Sequence, residues 1–230
     1  MADKTRTGWT TVAFGDVVRK TNNKVDPDTS GLERYVAGEH MDSNDLKIRR
    51  WGTIGDGYLG PAFHMRFRPG QVLYGSRRTY LRKVAMADFE GICANTTFVL
   101  ATSDPDLLLP EFLPYLMQTE PFHEYSELNS KGSVNPYINF SDLAQYEFDL
   151  PPVKKQSEIH QIVSSIDSCD ESFRELSKRS SALRRSLIYE IASFCAQNFG
   201  LLTVDQIVPK DRPVTYGILM PGTGVSGGVP

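Results

Sequence analysis

Arg66, Arg68, Arg77, Arg78, Arg82 and Lys83 lie between Gly57 and Ala87 with no Asp or Glu among them, in a chain whose formal net charge is -3. Without these six cations the remainder would stand at -9, so the positive field is local and the rest of the molecule repels phosphate. A guanidinium can fork onto phosphate oxygens or onto the O6 and N7 edge of guanine. Charge alone leaves a second reading open, in which the cations are the solvated face of an antiparallel hairpin.

The elements that position these side chains follow from spacing. Arg68-Pro69-Gly70, Gln71 to Gly75, Ser76-Arg77-Arg78 and Thr79 to Val84 read as turn, strand, turn and strand, which puts Arg77 and Arg78 at a hairpin tip flanked by Tyr74 and Tyr80. Further strands are expected at Tyr35 to Gly38 and Thr96 to Ala101, with the hairpin strands at Gln71 to Tyr74 and Thr79 to Val84. A helix is expected at Glu111 to Gln118, where Phe112, Tyr115, Leu116 and Thr119 fall at helical spacing. Between Val84 and Ser130 there is no Lys or Arg and eight Asp or Glu, which predicts one face open to a polyanion and another to solvent or a protein. The fold class expected is α+β, a sheet-rich globular domain over residues 1–150 followed by a long helix.

That helix begins after Leu150-Pro151-Pro152, where proline ends the pairing pattern. From Lys154 to Asn198 there is no Gly or Pro. A heptad frame puts Ile159, Ile166, Phe173, Leu187 and Phe194 at a, and Ile162, Cys169, Leu176 and Leu183 at d, with Ser180 and Glu190 as exceptions. A helix of about 40 residues would run about 60 Å, longer than a domain of 150 residues is wide, so much of this seam is expected to meet another helix. The segment 151–199 is therefore a spacer or dimerisation helix. Residues 200–230 open with a strand-like Leu201 to Val208, end in a tail rich in Gly and Pro, and look like the incomplete start of a further domain.

Other chemistries find little support. Hydrophobic residues make up 40 % and charged residues 23 %, as in ordinary globular proteins, and no apolar run reaches the roughly 18 residues of a membrane span. Met1 to Gly8 is polar and lacks the apolar stretch of a signal peptide, which points to the cytoplasm. Cys93, Cys169 and Cys195 are far apart and odd in number, and His40, His64, His123 and His160 are scattered without metal spacing. Gly222, Gly224 and Gly227 match G-x-G-x-x-G, but the helix and the acid that the dinucleotide motif needs do not follow. Asn135-Pro136-Tyr137 approaches the methyltransferase loop Asn/Asp-Pro-Pro-Tyr/Phe without its second proline, and reads as a turn after Lys131-Gly132-Ser133.

The order of the pieces resembles the specificity subunit of Type I restriction-modification systems. The resemblance rests on Trp9 to Val17, Arg68-Pro69-Gly70-Gln71-Val72-Leu73-Tyr74, Gly132 to Asn139 with Asp142-Leu143, and Asp149-Leu150-Pro151-Pro152 with Gln156 and Ile159. It covers roughly residues 9 to 198 and implies a target-recognition domain followed by the first of two antiparallel helices that space two half-sites of double-stranded DNA. On that reading Arg77 and Arg78 read bases, Arg82 and Lys83 hold phosphate, and Tyr80 adds a contact. Lys131, Ser133 and Asn135 join them from a neighbouring loop. The helix, through Ile159, Ile162, Ile166, Phe173, Leu176, Leu183 and Leu187, would pair with another helix and dock modification subunits, with the restriction subunit as a further candidate partner. S-adenosylmethionine and adenine N6 methylation belong to the modification subunit, so this chain would bind no cofactor and catalyse nothing. Two copies could also pair through the seam as a symmetric reader. The alternative is a truncated interaction protein that binds the modification subunit without reading DNA.

Overall fold

The computed structural model describes residues 8–199. The polar Met1 to Thr7, the strand expected at Leu201 to Val208 and the glycine motif at Gly222 to Gly227 lie outside them. The elements run β1 (Thr10–Ala13), α1 (Phe14–Val17), β2 (Val18–Thr21), β3 (Arg34–Val36), β4 (Gly52–Thr53), β5 (Phe63–Phe67), β6 (Val72–Gly75), β7 (Val84–Met86), β8 (Gly91–Ala94), β9 (Thr97–Thr102), α2 (Leu113–Leu116), α3 (Glu120–Leu128), α4 (Phe140–Leu143), β10 (Glu147–Leu150) and α5 (Val153–Phe199). The architecture is the α+β arrangement expected: a sheet-rich domain, then a helix of 47 residues.

One sheet has the order β2-β9-β6-β7 and another the order β4-β3-β8-β5, with only β3 and β8 parallel. The middle strands β6 and β9 are buried on both faces, and the alternation of a strand sends their side chains to two different cores. Val72, Tyr74, Phe98 and Leu100 join Phe14, Leu113, Met117 and Phe122 in a core shared with the short helices. Leu73 and Val99 join Val36, Met65, Phe67 and Cys93 in a core against the second sheet. Apolar side chains on both faces explain why these strands read as continuous hydrophobic runs instead of alternating ones.

A two-stranded clasp closes the domain. Strand β1 pairs antiparallel with β10, from Thr10 opposite Leu150 to Ala13 opposite Glu147, and Thr11 Oγ1 donates to Asp149 Oδ1 at 2.8 Å. In β10, Phe148 and Leu150 are buried while Glu147 and Asp149 are exposed, the period-two pattern of a half-buried strand.

The chain divides into two units, one through Asp167 and one from Ser168 onward. The first turns of α5 belong to the first unit. Gln156 is fully buried there: its Oε1 accepts from Leu109 N at 2.9 Å, and its Nε2 donates to Leu107 O and Pro151 O, each at 2.8 Å. Ile159 packs against the helix-side core, and Tyr115 donates its hydroxyl to Asp167 Oδ2 at 2.9 Å. In the second unit the described part of α5 carries ion pairs one turn apart, Arg174 with Asp170 and Arg179 with Glu175. Along α5 the seam residues Ile162, Ile166, Phe173, Leu176, Leu183, Leu187 and Phe194 are 48–67 % exposed in this chain alone. Ile159 departs from the seam expected for it, because it is partly consumed by the domain's own core.

Three local expectations change. The strand expected at Tyr35 to Gly38 ends at Val36, and Gly38–His40 forms a 3-10 turn instead. The strand expected at Thr79 to Val84 is a 3-10 turn over Thr79–Leu81, bracketed by Arg78 at φ 52° and Arg82 at φ 50°, with pairing resumed only at Val84. Both arginines sit in the left-handed region that side chains rarely enter, so contacts elsewhere in the fold must hold them there. The helix expected at Glu111 to Gln118 is a single turn, while the longer α3 follows it. Its signal was Thr119-Glu120-Pro121, since proline suits the first turn of a helix and breaks later ones.

Candidate nucleic-acid interface

The turn after β6 and the loop before α4 form one surface. Arg77 pairs with Tyr137 as an isolated antiparallel bridge, Arg78 N donates to Pro136 O at 2.6 Å, and Ile138 N donates to Ser76 O at 3.0 Å. Lys131 and Tyr137 exchange backbone bonds of 2.7 and 2.9 Å that close the second loop on itself. Side chains complete the weld: Arg78 Nε donates to Asn135 Oδ1 at 2.8 Å, and Thr79 Oγ1 meets Ser130 Oγ at 2.8 Å. The Arg77 guanidinium lies 5.8 Å from the centre of the Tyr137 ring, within the range of a cation-π contact. Two loops more than fifty residues apart in sequence thus present their side chains together.

The structure brings Arg77, Arg78, Tyr80, Lys131, Ser133 and Asn135 to this surface, all of them exposed. Tyr137 is the residue the sequence reading missed as a site. Its signal was an aromatic in the same Asn135-Pro136-Tyr137 turn, which was assigned to backbone geometry alone. Beside the surface, a cleft of about 280 Å³ is lined by Glu39, Arg77, Arg78, Lys83, Thr96 and Thr97.

The charges along this stretch are not equivalent. Arg66 reaches Glu90 Oε1 at 2.7 Å and Arg68 reaches the same oxygen at 3.3 Å. Arg82 forks onto Glu120, with Nη1 to Oε2 at 2.8 Å and Nη2 to Oε1 at 2.6 Å, and its Nε lies 3.4 Å from Glu127 Oε1. The hydrogen bond to Glu120 holds the Arg82 guanidinium protonated to higher pH than usual and holds the Glu120 carboxyl below the ordinary carboxylate range. Lys131 donates to Asp142 at 2.7 Å, and that bond raises the lysine and lowers the aspartate.

These pairs overturn the expectation that acidic and basic stretches occupy separate faces. Separation along the chain is undone in space, because Glu90, Glu120 and Glu127 fold back onto the arginines. Arg82, expected to hold phosphate, already has its fork filled by a carboxylate. Lys131 is neutralised in the same way. Lys83 donates its Nζ to the carbonyl of Gly38, which ties it to the 3-10 turn while leaving its charge uncancelled. Among the described residues Arg77, Arg78 and Lys83 are the cations of this stretch with no carboxylate in ion-pair range.

Beneath the Arg82 pair, His123 is buried against Phe122. Burial pushes its pKa down, and the nearby Arg82 charge pushes the same way, so the imidazole stays neutral. Thus α3 supplies an acidic outer face that grips Arg82 and a neutral inner face that packs on the core. The described residues hold no group of three or more His, Cys, Asp or Glu placed to bind a metal ion. No helix among them is long and apolar enough to cross a membrane.

Comparison with known proteins follows the same lines. The family described as the Type I restriction modification DNA specificity domain matches residues 7–179. The Type I restriction enzyme EcoDI specificity subunit of Escherichia coli is 26 % identical over 188 residues, covering 78 % of this chain and 40 % of that protein. Among solved structures, the HsdS subunit of Thermoanaerobacter tengcongensis is similar with a TM-score of 0.62 and 22 % identity, over 82 % of this chain and 49 % of that one. The Type I restriction-modification S subunit of M. genitalium gives 0.60 and 16 %, over 84 % and 48 %. This chain therefore spans about half the length of the relatives it matches, and its described residues form a sheet-rich domain with its long helix. The match over most of the chain, together with this shared fold, places it in the Type I restriction-modification DNA specificity family.

Proposed function

We propose that the domain reads one half-site of double-stranded DNA through the joined loops at residues 76–83 and 130–138, as the sequence-reading part of a Type I restriction-modification complex. The observation that carries this is the pair Arg77 and Arg78, presented on a welded two-loop surface with no carboxylate partner, while Arg66, Arg68 and Arg82 of the same stretch are neutralised. A guanidinium whose terminal fork is not filled by a carboxylate, on a rigid support, is what bidentate reading of guanine O6 and N7 requires. Lys83 supplies phosphate attraction, and Tyr80 and Tyr137 supply aromatic faces beside the duplex. Arg82 positions the loop. The chain is non-catalytic, and a partner modification subunit holds S-adenosylmethionine and transfers the methyl group to adenine N6.

The helix serves assembly. Its exposed seam from Ile162 to Phe194 supports pairing with a further helix, either a second copy of this chain or another segment of a larger assembly, and docking of modification subunits on the same rod. That seam is also the observation favouring the alternative of an interaction protein that binds its partner without reading DNA.

The two readings separate in one experiment. The chain is co-expressed with its modification subunit and N6-methyladenine is mapped by sequencing, with Arg77→Ala, Arg78→Ala and the double variant alongside. Each base-reading arginine lost should reduce discrimination by about 1–3 kcal/mol. A motif that survives the double variant unchanged would sink the assignment of these residues. Co-purification with the modification subunit but no methylated motif would favour the interaction protein.

A further inference from the structure

The carboxylates that meet the arginines of the basic stretch are consumed by them, and Glu39 stands apart. Glu90 serves Arg66 and Arg68, and Glu120 and Glu127 serve Arg82. Glu39 lines the same cleft as Arg77, Arg78 and Lys83, yet its charge contact is His40 Nε2 at 3.8 Å, and its side chain is 79 % exposed. Its placement is built. Ala37 N donates to His40 Nδ1 at 3.1 Å, which closes the Gly38–His40 turn, and Lys83 Nζ binds the Gly38 carbonyl from the cleft side.

An exposed, unneutralised carboxylate beside three cations is unfavourable on a surface that meets phosphate, because it repels the backbone it approaches. It becomes favourable where a base offers a donor. In the major groove a G·C pair presents acceptors at guanine O6 and N7 and, on the same edge, the cytosine N4 amino donor. A cleft lined by both guanidinium forks and a carboxylate complements that pattern.

We propose that Glu39 is a specificity-determining residue that accepts a hydrogen bond from the N4 amino group of a cytosine, in the G·C pair whose guanine is read by Arg77 or Arg78. This rests on the half-site reading above and assigns it a particular base pair. The carboxylate lowers affinity for every sequence through repulsion and restores it only where a cytosine amino group meets it. Its effect therefore has the opposite sign to that of the arginines.

The test selects duplexes from a random-sequence pool with the purified full chain and with Glu39→Ala and Glu39→Gln, and measures binding of random duplex across a salt series. The parent should enrich a motif containing an invariant G·C pair. Glu39→Ala should bind random duplex more tightly and lose about fivefold to 100-fold discrimination at that one pair, the span of one good base contact. Glu39→Gln should remove the repulsion yet keep part of the preference for the G·C pair, because the amide oxygen can still accept from the cytosine amino group as a neutral and weaker acceptor. A purely electrostatic role would raise affinity without changing the motif, and a motif unchanged at every position in Glu39→Ala would overturn the proposal. If the parent chain itself enriches nothing, the half-site reading falls and this assignment falls with it; a parent motif that Glu39→Ala leaves intact removes the assignment alone.

Discussion

Replacing Gln156 with methionine keeps the length and bulk of the side chain and removes all three of its hydrogen bonds. The glutamine is fully buried where α5 leaves the domain, and it satisfies Leu109 N, Leu107 O and Pro151 O. Leu107 is 44 % exposed, so water can take over its carbonyl, and the cost falls on the other two backbone groups. Each buried group left without a partner costs about 1–3 kcal/mol, which gives roughly 2–6 kcal/mol for the substitution. That is a large share of the roughly 5–15 kcal/mol that holds a folded protein together. Urea denaturation followed by circular dichroism measures it directly, and a midpoint lower by about 8–16 °C is expected in a thermal scan if the loss is near 4 kcal/mol. Gln156→Glu supplies a second reading. Its carboxylate can accept from Leu109 N but faces two carbonyl oxygens, so its pKa should rise, and the deficit should shrink as the pH falls and the new carboxyl protonates. A loss below about 1 kcal/mol for Gln156→Met would refute the idea that this side chain anchors the helix.

Further outcomes are expected from the same structure. Glu120→Gln should raise affinity for random duplex, since an acidic charge is gone and Arg82 is freed, but it should reduce sequence discrimination because the turn over Thr79–Leu81 loses its grip; electrophoretic mobility shifts with matched and mismatched duplexes separate the two effects. Arg82→Lys should likewise loosen the turn, as a point charge cannot span the Glu120 carboxylate as the guanidinium fork does. Burial pushes the Cys93 thiol up to about 12, whereas Cys169 and Cys195 are exposed, so a thiol reagent at pH 8 should label two cysteines quickly and the third only on unfolding. The Tyr74 phenol is likewise pushed by burial up to about 12. Both groups lose protons more readily when unfolded, so the stability they contribute is whole below about pH 9 and drains away as the pH rises toward 12. Finally, sedimentation of the chain should show concentration-dependent association that Phe173→Glu with Leu176→Glu abolishes; a strict monomer at high concentration would count against pairing of two copies through the seam.

The sequence revealed the long helix most clearly, because nothing in its composition competes with helix and its seam is periodic. Strands β6 and β9 were legible from compact β-branched and aromatic runs between turns. The turn at Thr79–Leu81 was not, since Thr, Tyr, Leu and Val favour a strand locally. What overrides that preference is distant in sequence: the Glu120 fork on Arg82, the Ser130 hydroxyl at Thr79 and the Pro136 carbonyl at Arg78. The same distance hid the neutralisation of Arg66, Arg68 and Arg82, whose partners belong to a segment that reads as a separate acidic face. Arg77 and Arg78 were picked out as candidates from residue type and turn position and Asn135 from the family resemblance, and only the fold shows that Arg78 and Asn135 touch. Glu39 escaped notice because a glutamate in a glycine-flanked turn has no signal until the cations of another loop are placed beside it.

The clasp between β1 and β10 carries a consequence of its own. Because Thr10 lies opposite Leu150, the backbone leaves the domain next to where it came in. The residues between those two strands are gathered by that pairing, and the first turns of α5 lean on a few of them, Leu107, Leu109 and Tyr115, through Gln156 and Asp167. Different loops at 76–83 and 130–138, longer, shorter or with another charge pattern, could be mounted on the same clasp while Leu107, Leu109 and Tyr115 keep their hold on the first turns of α5. On the proposed reading, the half-site could then change quickly while the clasp and the helix anchor stay as they are.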